Sequence, residues 1–188
     1  MRLFVAIELS KRTRSALQGV GVAVSEECTG VRWIPAERLH LTIKFLGEVP
    51  DGDVVKVADA VARTAAGSAP FEMEIAGCGC FPPRGPVRIV WAGIKEESGV
   101  LQECVETLES ELEELGFARE RRRFSPHLTI GRVREDHSGG RLRSADESHG
   151  FDSLEESVSS LTLMSSVLSP RGPSYTPAST ARLGRAGH

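Results

Sequence analysis

The tetrapeptide His-Leu-Thr-Ile occurs twice, at residues 40–43 and again at 127–130. The first copy sits in an alternating run, LHLTIKFL at 39–46, and the second opens HLTIGRV at 127–133. Alternation of apolar and polar residues is the period of a strand with one face in a core. Residues i and i+2 of a strand share a face, so His40 and Thr42 project together, as do His127 and Thr129. Leu41, Ile43, Leu128 and Ile130 then point inward and anchor the two strands. A chain that repeats such a strand is expected to build one unit twice. The same parity puts Leu39 and Phe45 with the inward set and Lys44 on the face of His40, lining a cleft or snorkelling at its edge. It puts Arg132 on the face opposite His127 unless a bulge intervenes.

The rest of the chain supplies the elements of that unit. RLFVAIEL at 2–9 is strand-like, rich in branched and aromatic residues. Ser10 is suited to cap a helix reaching about Cys28, with Leu17, Val20 and Val24 at helical spacing. VRWI (31–34) is a short strand, residues 53–65 a helix, and 71–80 and 87–94 strands around the loop FPPRGP. Residues 98–115 carry the clearest helical stripe: Val100, Leu101, Cys104, Val105, Leu108, Leu112 and Leu115. LEESVSSLTLMSSVLS (154–169) alternates and should contain a long strand, and RGPSYTPASTARL follows as a last strand across a turn. HSGGRLRSADESHG is a polar connector. The expected fold is therefore α+β: a bilobal, pseudo-two-fold duplicated unit spanning 1–188 as a single domain. Two mainly antiparallel sheets meet at a central cleft, the His40 and His127 motifs lie on facing central strands, and helices lie outside.

Composition narrows the function classes. With 188 residues, 40% hydrophobic and 26% charged, the chain is an ordinary globular length and mixture. A net charge of -3 means that any nucleic acid is held by a local basic patch. No run approaches the roughly 18 apolar residues of a membrane span. MRLFVAIELS reads as a first strand rather than a signal peptide, and a cytoplasmic monomer is expected. Cys28, Cys78, Cys80 and Cys104 form no CxxC pair, which favours buried thiols over a zinc site.

Two imidazoles beside two hydroxyls suit in-line displacement at phosphorus. Imidazole titrates near neutrality, so one ring can accept a proton from the attacking oxygen while the other donates one to the leaving oxygen. The threonine hydroxyls would hold the non-bridging oxygens. This chemistry calls for no cofactor or metal.

The two motifs, together with RLFVAIEL, HLTIKFLGEV, FPPRGPVRIVWAGI, LGFARERRRFSPHLTIGRVR and SSVLSPRGPSY, resemble the 2H phosphoesterases. Within them the chain looks closest to the RNA 2',3'-cyclic phosphodiesterases, historically called 2'-5' RNA ligases. The resemblance implies metal-independent opening of a 2',3'-cyclic phosphate at an RNA 3' end, such as that of a tRNA fragment, leaving a 2'-phosphate. It implies His40 as proton donor and His127 as proton acceptor, with Thr42 and Thr129 binding the phosphate. It also makes Arg132 and Tyr175 candidate RNA contacts, since the family often has an arginine and an aromatic there. The residues alone leave the two histidine roles interchangeable.

Further candidates come from position. Phe81, in the proline-rich loop, is the best placed aromatic for stacking on a base; Phe4, Trp33 and Trp91 default to core packing. Arg119 and Arg121–Arg123 form a basic rim or a solvated turn, with Arg123 nearest the second motif. His137, His149 and His188 read as solvated. Three other activities use the same residues: 2'-5' ligation by the reverse reaction, non-catalytic binding of an RNA end or nucleotide, and a metal hydrolase with His40 and His127 as ligands. The last lacks a further ligand at metal spacing.

Overall fold

The computed structural model of the chain describes residues 1–27, 30–135, 142, 152–170 and 172–184. Cys28, His137, His149, His188 and nearly all of the polar connector lie outside them.

The N-terminal apolar run forms β1 (Arg2–Glu8), which is buried on both faces. Ser10 then caps α1 (Lys11–Glu27), its Oγ accepting from the Thr13 amide at 3.2 Å. Next come β2 (Val31–Trp33), β3 (His40–Glu48), α2 (Val54–Gly67), β4 (Phe71–Phe81), β5 (Ile89–Lys95) and α3 (Val100–Glu114). The chain ends with β6 (His127–Val133), β7 (Leu154–Val158), β8 (Ser160–Ser169) and β9 (Gly172–Arg182). The predicted stripe of α3 is its buried face, with Leu101, Cys104, Val105, Leu108 and Leu112 all buried.

The strands make two sheets, ordered β3-β1-β8-β9 and β2-β6-β5-β4-β7, with antiparallel pairing throughout. The protein is thus the α+β, two-sheet fold expected, but the sheets exchange strands. β2, from the first half, pairs with β6, while β8 returns to pair with β1 and β9 adds to the far side of β8. The long strand expected within 154–169 is β8, and Ser159 separates it from the shorter β7, which lies in the five-stranded sheet while β8 lies in the four-stranded one. Both pieces alternate, and a period of two carries no information about which sheet a segment joins.

One hydrophobic core runs through both sheets, from Leu3, Val5 and Ile7 of β1 to Met73, Ile75, Ala92 and Leu128 of the second sheet. A smaller cluster, Phe4, Ala6 and Met164 with Tyr175 against it, covers the other face of β1. A buried carboxylate ties the sheets together: Glu156 of β7 accepts from the Ser10 amide at 2.8 Å and from its hydroxyl at 2.9 Å. β3 is the edge strand of its own sheet, yet it packs beside β6 of the other. Among the described residues no helix is long and apolar enough to cross a membrane. Among the described residues Cys78, Cys80 and Cys104 form no disulfide.

Candidate active site

The repeat extends beyond its four letters into the backbone. Ala6 faces Thr42 and Val5 faces Lys44, so Ile43 is an extra residue in β3. Trp91 faces Thr129 and Val90 faces Gly131, so Ile130 is an extra residue in β6. The fourth residue of each motif is therefore a β-bulge. A bulge reverses the facing of every residue after it.

This reversal relocates two candidates. Lys44 does not share the face of His40. It lies opposite the buried Val5, is 4% exposed, and reaches into the protein to pair with Glu109 of α3 at 2.7 Å. Its place is taken by Phe45, opposite Phe4 and 65% exposed. In β6 the bulge turns Arg132 onto the face of His127, where simple parity excluded it. Phe45 and Arg132 stand at corresponding positions, each five residues after its histidine. Phe45 thus stands on the face of His40, whereas the alternating pattern assigned it to the core.

Both imidazoles are held in the same way. His40 Nδ1 donates to the Arg38 carbonyl and His127 Nδ1 to the Ser125 carbonyl, each at 2.8 Å and two residues back. A carbonyl can only accept, so the proton of the neutral ring is on Nδ1 and Nε2 is left as the working nitrogen. Each ring also meets one aromatic edge-on: Tyr175 with His40 at 5.2 Å and 88°, Phe81 with His127 at 5.3 Å and 81°. Phe4 adds a second ring against His40 at 4.9 Å, and Trp91 packs on Phe81 at 5.3 Å. A Cβ on Gly79 would lie 2.2 Å from the Trp91 indole, so the glycine is what lets that ring lie across β4. Neither the Thr42 nor the Thr129 hydroxyl has a hydrogen-bond partner among the described residues, which leaves both as donors for a ligand.

The environments of the two rings differ. Burial pushes the His40 imidazole below its ordinary value, opposed by the Arg38 carbonyl and Glu8 and reinforced by Arg14. An anion bound beside the ring favours its charged form. We therefore expect the His40 ring, followed by NMR, to titrate below the usual histidine value in the free protein and to rise when inorganic phosphate is added. A free-protein value at or above the usual one would overturn this electrostatic reading.

The structure thus brings His40, Thr42, Phe45 and Tyr175 to one face, and His127, Thr129, Arg132 and Phe81 to another. Arg123 remains exposed, with no hydrogen bond or ion pair to either group among the described residues. Arg119 is turned away toward α3, bonding Ser110 at 3.0 Å.

The sequence model for LigT-like phosphoesterases matches this chain in two copies, residues 7–91 and 93–175, one around each motif. The RNA 2',3'-cyclic phosphodiesterase of Methanothermobacter thermautotrophicus is 32% identical over 97% of this chain and 99% of its own. That of Archaeoglobus fulgidus is 34% identical over 93% and 96%. Among solved structures, a Thermus thermophilus protein superposes with a TM-score of 0.84 at 28% identity, covering 100% of both chains. Escherichia coli LigT complexed with 3'-AMP gives 0.74 at 25%, covering 97% of both. The duplicated match, the two motifs and the two-sheet architecture agree, and the chain belongs to the LigT-like phosphoesterases.

Proposed function

We propose that this protein is an RNA 2',3'-cyclic phosphodiesterase, opening a terminal 2',3'-cyclic phosphate to a 2'-phosphomonoester with His40 and His127 as its acid–base pair. The observation that carries this reading is the matched tethering of the two rings. Each has Nδ1 fixed by a backbone carbonyl, Nε2 left over, and a threonine hydroxyl two residues on.

In the proposed reaction His127 Nε2 takes a proton from water as its oxygen attacks phosphorus. The bond from phosphorus to the 3'-oxygen breaks, and that oxygen receives a proton from His40 Nε2. Thr42 and Thr129 donate to the non-bridging oxygens, whose charge persists through the transition state. Arg132 adds a cation on the His127 side. The cycle leaves His40 neutral and His127 protonated, and exchange with solvent restores both. Burial alone favours neutral His40, and the substrate's negative charge is what supports the protonated donor.

The leaving oxygen belongs to the substrate's own ribose, so the terminal nucleoside sits on the His40 flank. Phe45 and Tyr175 offer that nucleoside exposed and edge-on aromatic surface there. The 3'-AMP held by Escherichia coli LigT is a ligand of the same class. Tyr175 and Phe45 are accordingly read as contacts to the terminal nucleoside, Phe81 as a contact on the nucleophile's side, and Lys44 as a structural residue.

The test is product analysis. Protein incubated in strong chelator with an oligonucleotide ending in 2',3'-cyclic phosphate should yield the 2'-phosphate alone. A 3'-phosphate product, or activity lost to chelation, would contradict the proposed roles. Phe81 and Trp91 flank His127, where the nucleophile approaches, and this favours a second reading in which a 5'-hydroxyl RNA replaces water. Adding such an RNA to the same assay and looking for a 2'-5' linkage distinguishes ligation from hydrolysis.

A further inference from the structure

The two imidazoles are walled differently. His40 lies against Phe4, which is 3% exposed and clusters with Ala6 and Met164, and against Tyr175, which packs on that cluster. His127 has no such backing. Its partner across the ladder is Gly93, which offers no side chain, and its Nδ1 hydrogen bond lies at an exposed position. A single hydrogen bond from one ring nitrogen leaves an imidazole able to rock about it. The aim of Nε2 then depends on whatever packs beside the ring. Among the described residues the ring beside His127 is Phe81, at 5.3 Å and 81°.

Phe81 is itself poorly anchored. It ends β4, residues 82–86 beyond it are exposed, and it joins neither hydrophobic cluster. Its backbone is pinned opposite Ile89, and its carbonyl accepts from the Arg88 amide at 2.8 Å. That fixes the Cα and leaves the ring to be oriented by Trp91, 5.3 Å away and tilted by 32°. Trp91 stands opposite Thr129 on one side and Gly79 on the other, so its indole lies on the face of His127. The indole fits there because position 79 has no side chain: an added Cβ would meet three of its carbons at 2.2 to 2.7 Å. In this seat Nε1 is enclosed and has no hydrogen-bond partner among the described residues. A buried donor without an acceptor costs stability, and a phenylalanine would not incur that cost. Packing alone therefore does not account for the large ring. What a smaller ring would lose is the reach from β5 across Gly79 to Phe81.

We propose that Gly79 and Trp91 are positioning residues for His127: the indole, seated over the bare glycine, backs Phe81, and Phe81 holds the acceptor imidazole in line with the phosphorus. The inference rests on the proposed function for the role of His127, but its first test needs no substrate.

That test follows the carbon-bound ring protons of His127 by NMR in the free protein, assigned by their loss in His127→Ala. Gly79→Ala and Phe81→Leu should each move the His127 resonances and leave those of His40 in place, because Phe4 and Tyr175 hold that ring independently. The backbone at Gly79 is outside the left-handed region that Gly77 occupies at a φ of 68°, so the alanine disturbs the indole rather than the strand. It gives a readout even if Phe81→Leu folds poorly. The second test is turnover of adenosine 2',3'-cyclic phosphate. Both variants should lower kcat by about 10–10²-fold, the scale of an ångström-sized misplacement of a catalytic group, with a smaller change in KM. Phe81→Tyr, which keeps the ring, should recover most of what Phe81→Leu loses. In a His127→Ala background the same two substitutions should cost nothing further, since groups that act through one residue are not additive with its removal. A packing role, or direct contact with the substrate, would lower turnover there as well. Unchanged His127 resonances in Gly79→Ala, or an undiminished loss in the His127→Ala background, would overturn the inference and leave the proposed function standing. Near wild-type turnover in His127→Ala would instead remove the proposed function, and with it the catalytic meaning of the positioning, even where the resonances respond.

Discussion

His127→Ala lowers kcat on a 2',3'-cyclic phosphate substrate by about 10²–10⁴, and His40→Ala does the same, the range expected for losing one positioned acid or base. The fold should survive both changes, because neither ring lies in the main core. His40 packs against Phe4 and Tyr175 and its removal leaves more unfilled space, so its variant should melt somewhat earlier than that of His127. The informative measurement is the double variant. Two groups that serve one displacement act as a unit, and removing both should cost little more than removing the worse one. Assays in chelator with matched melting curves separate this from misfolding. Near wild-type turnover in either single variant would remove the proposed mechanism. Thr42→Ala and Thr129→Ala should be milder, since each removes one donor to an oxygen that already carries charge.

The tetrapeptides made much of this site readable in the sequence. Period-two alternation places His and Thr on one face and Leu on the other, and in both strands the leucine is buried and the histidine half-exposed. The reading fails at the fourth residue. Ile43 and Ile130 are ordinary branched apolar residues, and nothing in their chemistry announces an unpaired position in a ladder. The bulge arises from how the partner strand is registered, which is a long-range property. One extra residue is enough to exchange Lys44 with Phe45 and to bring Arg132 to the histidine face. A clue was present in the duplication itself. Phe45 and Arg132 stand at the same distance from their histidines, and a strict period of two buries both. An arginine buried without a partner is rare enough to question the period. Strand exchange between the sheets was less legible, because β2 and β7 are short and alternate in the same way as strands of the other sheet.

Lys44→Met should lower the melting temperature by about 10 °C, because it strands a carboxylate. The Lys44 ammonium is almost fully enclosed. It donates to both oxygens of Glu109, at 2.8 and 2.7 Å, and to the Ala118 carbonyl at 2.7 Å. Glu109 is itself only 12% exposed and otherwise accepts from the Glu120 amide at 3.3 Å. Removing one partner of a buried pair costs about 3–5 kcal/mol, since the other charge stays desolvated without compensation. For a chain of this length each kcal/mol corresponds to about 2–4 °C. The double variant Lys44→Met/Glu109→Leu should recover most of the loss, because an apolar pair of similar volume carries no stranded charge. Ala118 and Glu120 begin the segment that leads to His127, so this pair also ties β3, bearing the first histidine, to the approach of the second. The two possible placements of Lys44 make opposite predictions. A lysine on the His40 face would cost turnover and leave stability unchanged when replaced, and the double variant would rescue nothing. The buried lysine costs stability first, and Glu109→Leu restores it. A Lys44→Met variant that melts like wild type yet has lost activity would return the ammonium to the catalytic face and refute the bulge as the organiser of this site.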